Sequence, residues 1–461
     1  MYKNNLLILI IFITNIIFSQ VEFNFNTQVS PSLSIQQYFP DLIIDGEGVV
    51  HIVWVEQTGN LKNIFYSHSM DNGLSFFAKV QINSVNGHVV AYGGAGPRIQ
   101  YYNNKIYVIW ADSRNGYNNT SIYMSRSSNN GESWINDFMV SDQLNFQLYG
   151  DMEIDETGVL HLVYYNYQSN LYFSDIRYSK MYLDGMMLTE SIALGVTTDV
   201  AEPCDCCSPD IAVTPIGDVY IAYRNNIGNI RDHYITTKLE NEDSFSGAVP
   251  IAELNDEIGF CPSSSPSISI QNNQIGAGGM FYEGGGVFIT FGDLENLQFQ
   301  NPIMIEPQSS INNYPSIILN DSIIYAIWVD ATNKEILFSS LNSSDNIIDG
   351  FQNIIIADEN ITQVAEPKLK LYDDNLYAVW TDNRSSVNNI YFSSTEELDV
   401  VFGDVNGDAL INIIDILLVV NYINGNQELT STQFIASDLN SDSVINILDI
   451  IQIINIILGN I

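Results

Sequence analysis

The feature that most constrains this chain is a repeat. Seven segments begin with a proline, once replaced by Met152, and carry an aliphatic residue two positions later. They are PDL at Pro40, PRI at Pro97, MEI at Met152, PDI at Pro209, PSI at Pro266, PSI at Pro315 and PKL at Pro367. Recurrence at roughly 50 to 57 residues marks a propeller or a solenoid, because a unit of that size cannot bury its own apolar face. A second apolar run in each unit often ends in tryptophan and an acid: HIVWVE from His51, IYVIWAD from Ile106, IYAIWVD from Ile324, LYAVWTD from Leu376. A third is aromatic and serine-rich, as in NIFYSHS from Asn63, SIYMSRS from Ser121 and NIYFSST from Asn389, and a short fourth run such as VQIN from Val80 closes the unit. Four short β-branched and aromatic runs between Gly, Asn, Asp and Ser turns describe a propeller blade.

No helical periodicity competes before Gly403. The repeat predicts an all-β propeller over residues 21–400 with seven blades; six blades and an irregular unit is the competing count. The seventh unit lacks a fourth strand, and FNFNTQVS (23–30) has no blade of its own. Pairing the two would close the ring and remove both sheet edges.

The chain carries 16 basic and 54 acidic residues, a net charge of −38. Nucleic acid and anionic membrane surfaces repel such a body, so neither is expected as a partner. Residues 1–19, with Lys3, an apolar run from Leu6 to Phe18 and then Ser19, read as a secretory signal, too short for a membrane span. The expected setting is therefore extracellular, secreted or tethered to a cell surface. The four cysteines, Cys204, Cys206, Cys207 and Cys261, fall in loops that blade topology brings to one face. In an exported chain they read as two disulfides, with Cys261 joined to one of the cluster; the alternative is a soft-metal site of thiolates.

Two turns between third and fourth strands share a sharper pattern. SMDNGLSF (Ser69, Asp71, Gly73, Phe76) and SSNNGESW (Ser127, Asn129, Gly131, Trp134) both fit S-x-[DN]-x-G-x-S-[FW]. This resembles the Asp-box of the sialidase (neuraminidase) superfamily, whose role is structural. The resemblance implies a glycan-handling propeller, with an arginine trio for a substrate carboxylate and acidic partners on the ring axis. Candidates here are Arg98, Arg224 and Arg384, with Arg114 and Arg231 in reserve, and Glu56, Asp112, Glu283, Asp330 and Asp382. Arg114 and Arg384 occupy equivalent W-x-D-x-R repeats, so a blade-stabilising role explains them equally well.

Composition changes at Gly403: residues 401–461 contain no lysine or arginine. Two copies of one pattern follow. The first uses Asp404, Asn406, Asp408, Leu410, Asn412 and Asp415; the second uses Asp438, Asn440, Asp442, Val444, Asn446 and Asp449. Oxygen donors at positions 1, 3, 5, 9 and 12, with the position-7 carbonyl, are the spacing for a hard cation. An apolar run of helical length follows each loop, and Asp replaces the usual Glu at position 12. The whole of 402–461 resembles a type I dockerin, which implies two calcium ions, a small helical domain and a cohesin-type partner. The departures are Ala409 and Ser443 at position 6, where glycine makes the turn; a left-handed alanine there costs about 1 kcal/mol.

Overall fold

In the computed structural model of the chain, the described residues are 21–142, 146–167, 174–195, 202–305, 311–343, 352–355, 361–396, 401–427, 429, 431–440 and 444–459. The leader expected over 1–19 lies outside them. Each repeat forms an antiparallel sheet, seven in all. Blade one runs Gln36–Ile44, Val50–Thr58, Leu61–Ser69 and Val80–Gln81. The innermost strands of blades two to seven are Arg98–Tyr102, Phe146–Ile154, Asp210–Val213, Ser267–Gln271, Asn312–Asn320 and Val364–Tyr372. The seven-blade count is the one observed.

Closure comes from the N-terminal segment. The strand Thr27–Gln28 pairs antiparallel with Asn389–Ser394, the third strand of blade seven, with Thr27 opposite Phe392 and Gln28 opposite Tyr391. The Val29 N–H donates to the Ile390 carbonyl at 2.9 Å and the Asn24 N–H to the Ser394 carbonyl at 2.8 Å. Val29 is buried in a cluster with Trp54, Val379 and Phe392. The ring is therefore fastened by one strand from one end of the propeller and three from the other.

Second strands read as nearly continuous apolar runs because both of their faces are covered by neighbouring blades. Trp54, Trp328 and Trp380 are fully buried there and Trp110 nearly so. The acid after tryptophan has a local partner. Indole Nε1 of Trp54, Trp110 and Trp380 donates to Glu56, Asp112 and Asp382 at 3.2, 3.1 and 2.9 Å. In blade six the indole of Trp328 donates instead to Asn312, and Asp330 accepts from the Thr332 and Asn333 N–H groups of the next turn.

One repeat position needs correction. The third unit aligns by Asp151, which pairs with Val163 as Asp41 pairs with Val53 after an equivalent bulge. Gly150 thus stands where other units have proline, and Met152, not Ile154, is the buried aliphatic beside it.

The two Asp-box turns bolt neighbouring blades together. Ser69 donates to Asp71 at 2.7 Å, and the Gly73 N–H donates back to Ser69 at 2.9 Å. Gly73 has φ +84°, and a Cβ on it would lie 1.9 Å from the Phe392 ring of blade seven. Gly131 repeats this with φ +80° against Tyr66 of blade one. Phe76 meets Phe392 edge-on at 5.6 Å, and Trp134 meets Tyr66 at 5.2 Å.

The C-terminal region is helical: α1 Ile413–Ile423, α2 Ser431–Ser437 and α3 Ile447–Ile457. Short α2 is not foreseen from the apolar runs, and it gives the second loop an entering helix that the first lacks. Val405, Ile416, Val419, Ala436, Ile445, Ile450 and Ile453 form the small core.

Replacing Val29 by proline removes one closing hydrogen bond and repacks a buried side chain, a loss of about 2–4 kcal/mol. Calorimetry should show the propeller melting earlier; an unchanged transition would contradict closure by this strand.

Candidate functional site at the capped mouth of the ring

Loops that precede a first strand, or join second to third strands, emerge on the face opposite the Asp-box turns. The innermost strands below them enclose a channel of about 270 Å3. Its polar lining comes largely from the residue after the repeated proline, or its equivalent: Asp41, Arg98, Asp151, Asp210, Ser267, Ser316 and Lys368, joined by Glu153 and Lys370. Arg98 Nε donates to Asp151 at 3.1 Å. Burial pushes the Glu153 carboxyl up to about 7 against the pull of Lys370. Burial and the neighbouring Asp151 push Asp210 up as well, and burial raises Glu366.

The channel is roofed on this face. The segment YGGAG (92–96) from blade two crosses the mouth: Gly93 lies beside Ser263 and Glu366, Gly94 beside Ser208, Ser265 and Tyr149, and Gly96 against Phe39. The Gly94 N–H donates to Glu366 at 2.9 Å, and Arg98 Nη2 reaches the Gly94 carbonyl at 3.4 Å. A Cβ on Gly96 would sit 2.7 Å from Phe39 Cβ, so the close crossing explains that glycine, while Gly94 takes φ +79°.

Beside the roof, the cysteine loop and two neighbours knit together. The Cys204 N–H donates to the Arg224 carbonyl, and the Tyr165 hydroxyl donates to the Cys204 carbonyl at 2.8 Å. Arg224 is fully buried and reaches Asp256 at 3.2 Å and the Met280 and Arg231 carbonyls. Arg231 donates to the Ile258 carbonyl and, through Nη1, to Cys204 Sγ at 2.7 Å. Asp256, Tyr149, Tyr165 and the roof glycines carry no motif of their own. Three channel acids did have a signal: Asp41, Asp151 and Asp210 are the variable residue inside a fixed repeat.

Two disulfides are not what forms. Cys206 is bonded to Cys261, whereas Cys204 and Cys207 are free and buried. The Cys204 and Cys207 sulfurs stand 3.8 Å apart within a single turn, far beyond the roughly 2.05 Å of a disulfide, and their other sulfur neighbour, Cys206, is already bonded to Cys261. The hydrogen bond with Cys207, aided by Arg231, holds the Cys204 thiol down at about 6, and burial drives Cys207 upward.

The arginines do not gather at one point. Arg98 lies in the channel mouth and Arg224 and Arg231 lie under the cysteine loop. Arg114 and Arg384 fork onto Asp112 and Asp382 and cover Tyr123 and Tyr391, each at 4.1 Å. Arg114 also reaches Asp137, and Arg384 reaches Asn26 of the closing segment. Glu56 accepts from Gln37, Trp54 and Lys79, while Glu283 is exposed at the rim.

In the first C-terminal loop Asp404 accepts from the Asp408 and Ala409 N–H groups, and Asp408 from that of Leu410. Asp415 accepts from the Asn406 and Asn412 N–H groups. Asn412 caps α1 and Asn446 caps α3, with Asp415 and Asp449 completing matching capping boxes. Ala409 has φ +63°, the left-handed turn expected of position 6. Asp442 and Ser443 lie outside the described residues.

Pushed up to about 7 by burial, the Glu153 carboxyl should stay protonated in the folded chain where the unfolded carboxyl, near its usual 4.5, has already ionised. Between these values the folded state binds more protons, so its stability falls as pH rises through the window. Glu153→Gln should flatten that slope in denaturant melts taken at both ends; an unaltered slope would show that Glu153 does not titrate there.

Residues 402–458 match the family model described as dockerin type I domain. No curated protein matches the chain. Among solved structures, the propeller resembles an ulvan lyase of polysaccharide lyase family PL25, bound to -[GlcA(1-4)Rha3S]-. That pair shares 11% identity over 81% of this chain and 94% of the other, with a TM-score of 0.55. The polysaccharide lyase Uly1 is similar at 10% identity over 82% and 93%, TM-score 0.51. An α-L-arabinanase of Penicillium chrysogenum follows at 13% over 71% and 100%, TM-score 0.48. At such identities the likeness is one of fold. The chain is a seven-blade β-propeller that carries a dockerin type I domain at its C-terminal end.

Proposed function

We propose that this protein is a secreted propeller that engages an extracellular polysaccharide, held in place by docking of its C-terminal domain onto a cohesin-type partner. The observation that carries the reading is the C-terminal domain itself: a dockerin delivers its neighbour to a scaffold. Its apolar surface supports docking. Leu410, Ile413, Ile414 and Leu417 are exposed on α1 and the loop before it, and Val444, Ile447, Leu448 and Ile451 repeat them on α3. A small domain that leaves so many branched side chains in water fits a partner's surface.

On the propeller, the rim of the roofed face supports glycan contact. Phe260 and Tyr282 are about half exposed and meet edge-on at 4.9 Å, and Tyr92 stands beside the roof glycines. Exposed aromatic faces suit the C–H faces of sugar rings. Glu202, Asp205, Glu253, Glu257 and Glu283 are exposed in the loops of the same face. The rim and the net charge of −38 both repel polyanions, which favours an uncharged polysaccharide. Every arginine named from the sialidase resemblance bonds protein groups, so the reading does not draw on sialic acid chemistry.

A panel of neutral and anionic polysaccharides, ulvan and sialosides included, tests this by affinity electrophoresis with a reducing-end assay alongside. Retardation by a neutral polymer, weakened about tenfold by Tyr282→Ala with Phe260→Ala, is the expected result. Binding to ulvan alone, or to none of the panel, would overturn it.

Calcium should be needed for the docking domain, with two ions bound by the paired loops. Chelation should melt the C-terminal helices and abolish cohesin capture while the propeller stays folded. Ala409→Gly relieves a left-handed alanine, worth about 1 kcal/mol, so calcium affinity at the first loop should rise about fivefold by calorimetry. Capture that persists in chelator would contradict the calcium requirement.

A further inference from the structure

Three sulfur atoms meet in the loop before blade four, and a fourth, from the loop before blade five, is bonded to one of them. Cys204 Sγ is 3.4 Å from Cys206 Sγ and 3.8 Å from Cys207 Sγ, and the three sulfurs all lie within 4.8 Å of one another. Cys261 is bonded to Cys206, so its sulfur borders the group through that one neighbour. A tetrahedral thiolate shell with metal–sulfur bonds of about 2.3 Å sets neighbouring sulfurs about 3.8 Å apart. The two sulfur–sulfur distances from Cys204 are already close to that spacing.

Cationic side chains flank the sulfurs. Arg231 Nη1 points at Cys204 Sγ from 2.7 Å and lies 4.0 Å from Cys206 Sγ. Arg224 is fully buried, bears electrostatically on Cys204 and Cys207, and keeps its Nη1 without a hydrogen-bond partner. Two guanidiniums are poised to offset the negative charge that four thiolates leave on a monovalent or divalent cation. The loop is also held in place in advance: the Tyr165 and Tyr167 hydroxyls fix the Cys204 and Asp205 carbonyls. A loop so fixed loses little entropy on taking a ligand.

We propose that Cys204, Cys206, Cys207 and Cys261 form a binding site for a thiophilic d10 cation, zinc(II) or copper(I), once the Cys206–Cys261 bond is reduced. A dithiol reductant supplies the two electrons and two protons that convert that disulfide into two thiols, and is itself oxidised to a disulfide. The cation then displaces one proton from each of the four thiols and binds four sulfurs. The oxygen loops of the dockerin domain take hard cations and do not compete for this one.

The test uses the full chain, anaerobic, with and without prior dithiol reduction and removal of the reductant. Cobalt(II) serves as the spectroscopic probe, and zinc(II) and copper(I) are titrated separately against chromogenic competitors. The reduced chain should bind one cobalt per molecule with intense tetrahedral ligand-field and thiolate charge-transfer bands, and the oxidised chain should not. Cys207→Ser should weaken zinc or copper binding at least tenfold. Cys261→Ser, at an exposed position, gives a second variant expected to fold and to lose the tetrathiolate spectrum. Asp404→Ala with Asp438→Ala should change nothing at this site. A reduced chain that binds no more soft metal than the oxidised one, or a Cys261→Ser variant that binds it as well as the unaltered chain, would overturn the proposal.

Discussion

The pairing of Thr27–Gln28 with the third strand of blade seven is the contact on which the rest of the ring depends. A propeller left open would expose two sheet edges, each a row of unmatched backbone groups. Closing it with a strand from the far end of the propeller turns seven marginal sheets into one cooperative ring. Several other devices converge on that seam. The first Asp-box rests its glycine on Phe392, Asn72 reaches Glu396, and Arg384 reaches Asn26. A closed ring in turn fixes the innermost strands around one axis, which is why charged side chains from separate blades can share a channel.

The architecture was largely legible because repetition is a strong signal. Proline spacing located the blades, the missing fourth strand pointed to the exchange, and the Asp-boxes identified the turns that join neighbours. Met152 shows the limit of that method. Its unit has glycine where the others have proline, and spacing alone placed the register two residues late. The W-x-D-x-R arginines read ambiguously for a physical reason: the same fork that clamps a substrate carboxylate can clamp the blade's own aspartate, and here it does.

The site was less legible, since its parts come from loops far apart in the chain. Nothing local marks Asp256 as the partner of Arg224, and the YGGAG segment gives no hint that it spans the mouth. The cysteine loop was visible as an oddity, but its pairing depends on side-chain direction within a single turn. In the dockerin domain the situation is reversed. Two aligned copies made the ligand spacing plain, and Ala409 keeps the left-handed turn despite lacking glycine.

The account's central claim is that the roofed face, not the Asp-box face, meets the polysaccharide. Hydrogen exchange with and without a bound polymer tests it most directly. Protection confined to residues 92–96, 259–264 and 282–285, with no change at 69–76 or 127–134, is the predicted footprint. Protection at the Asp-box turns with none at the roof would contradict it.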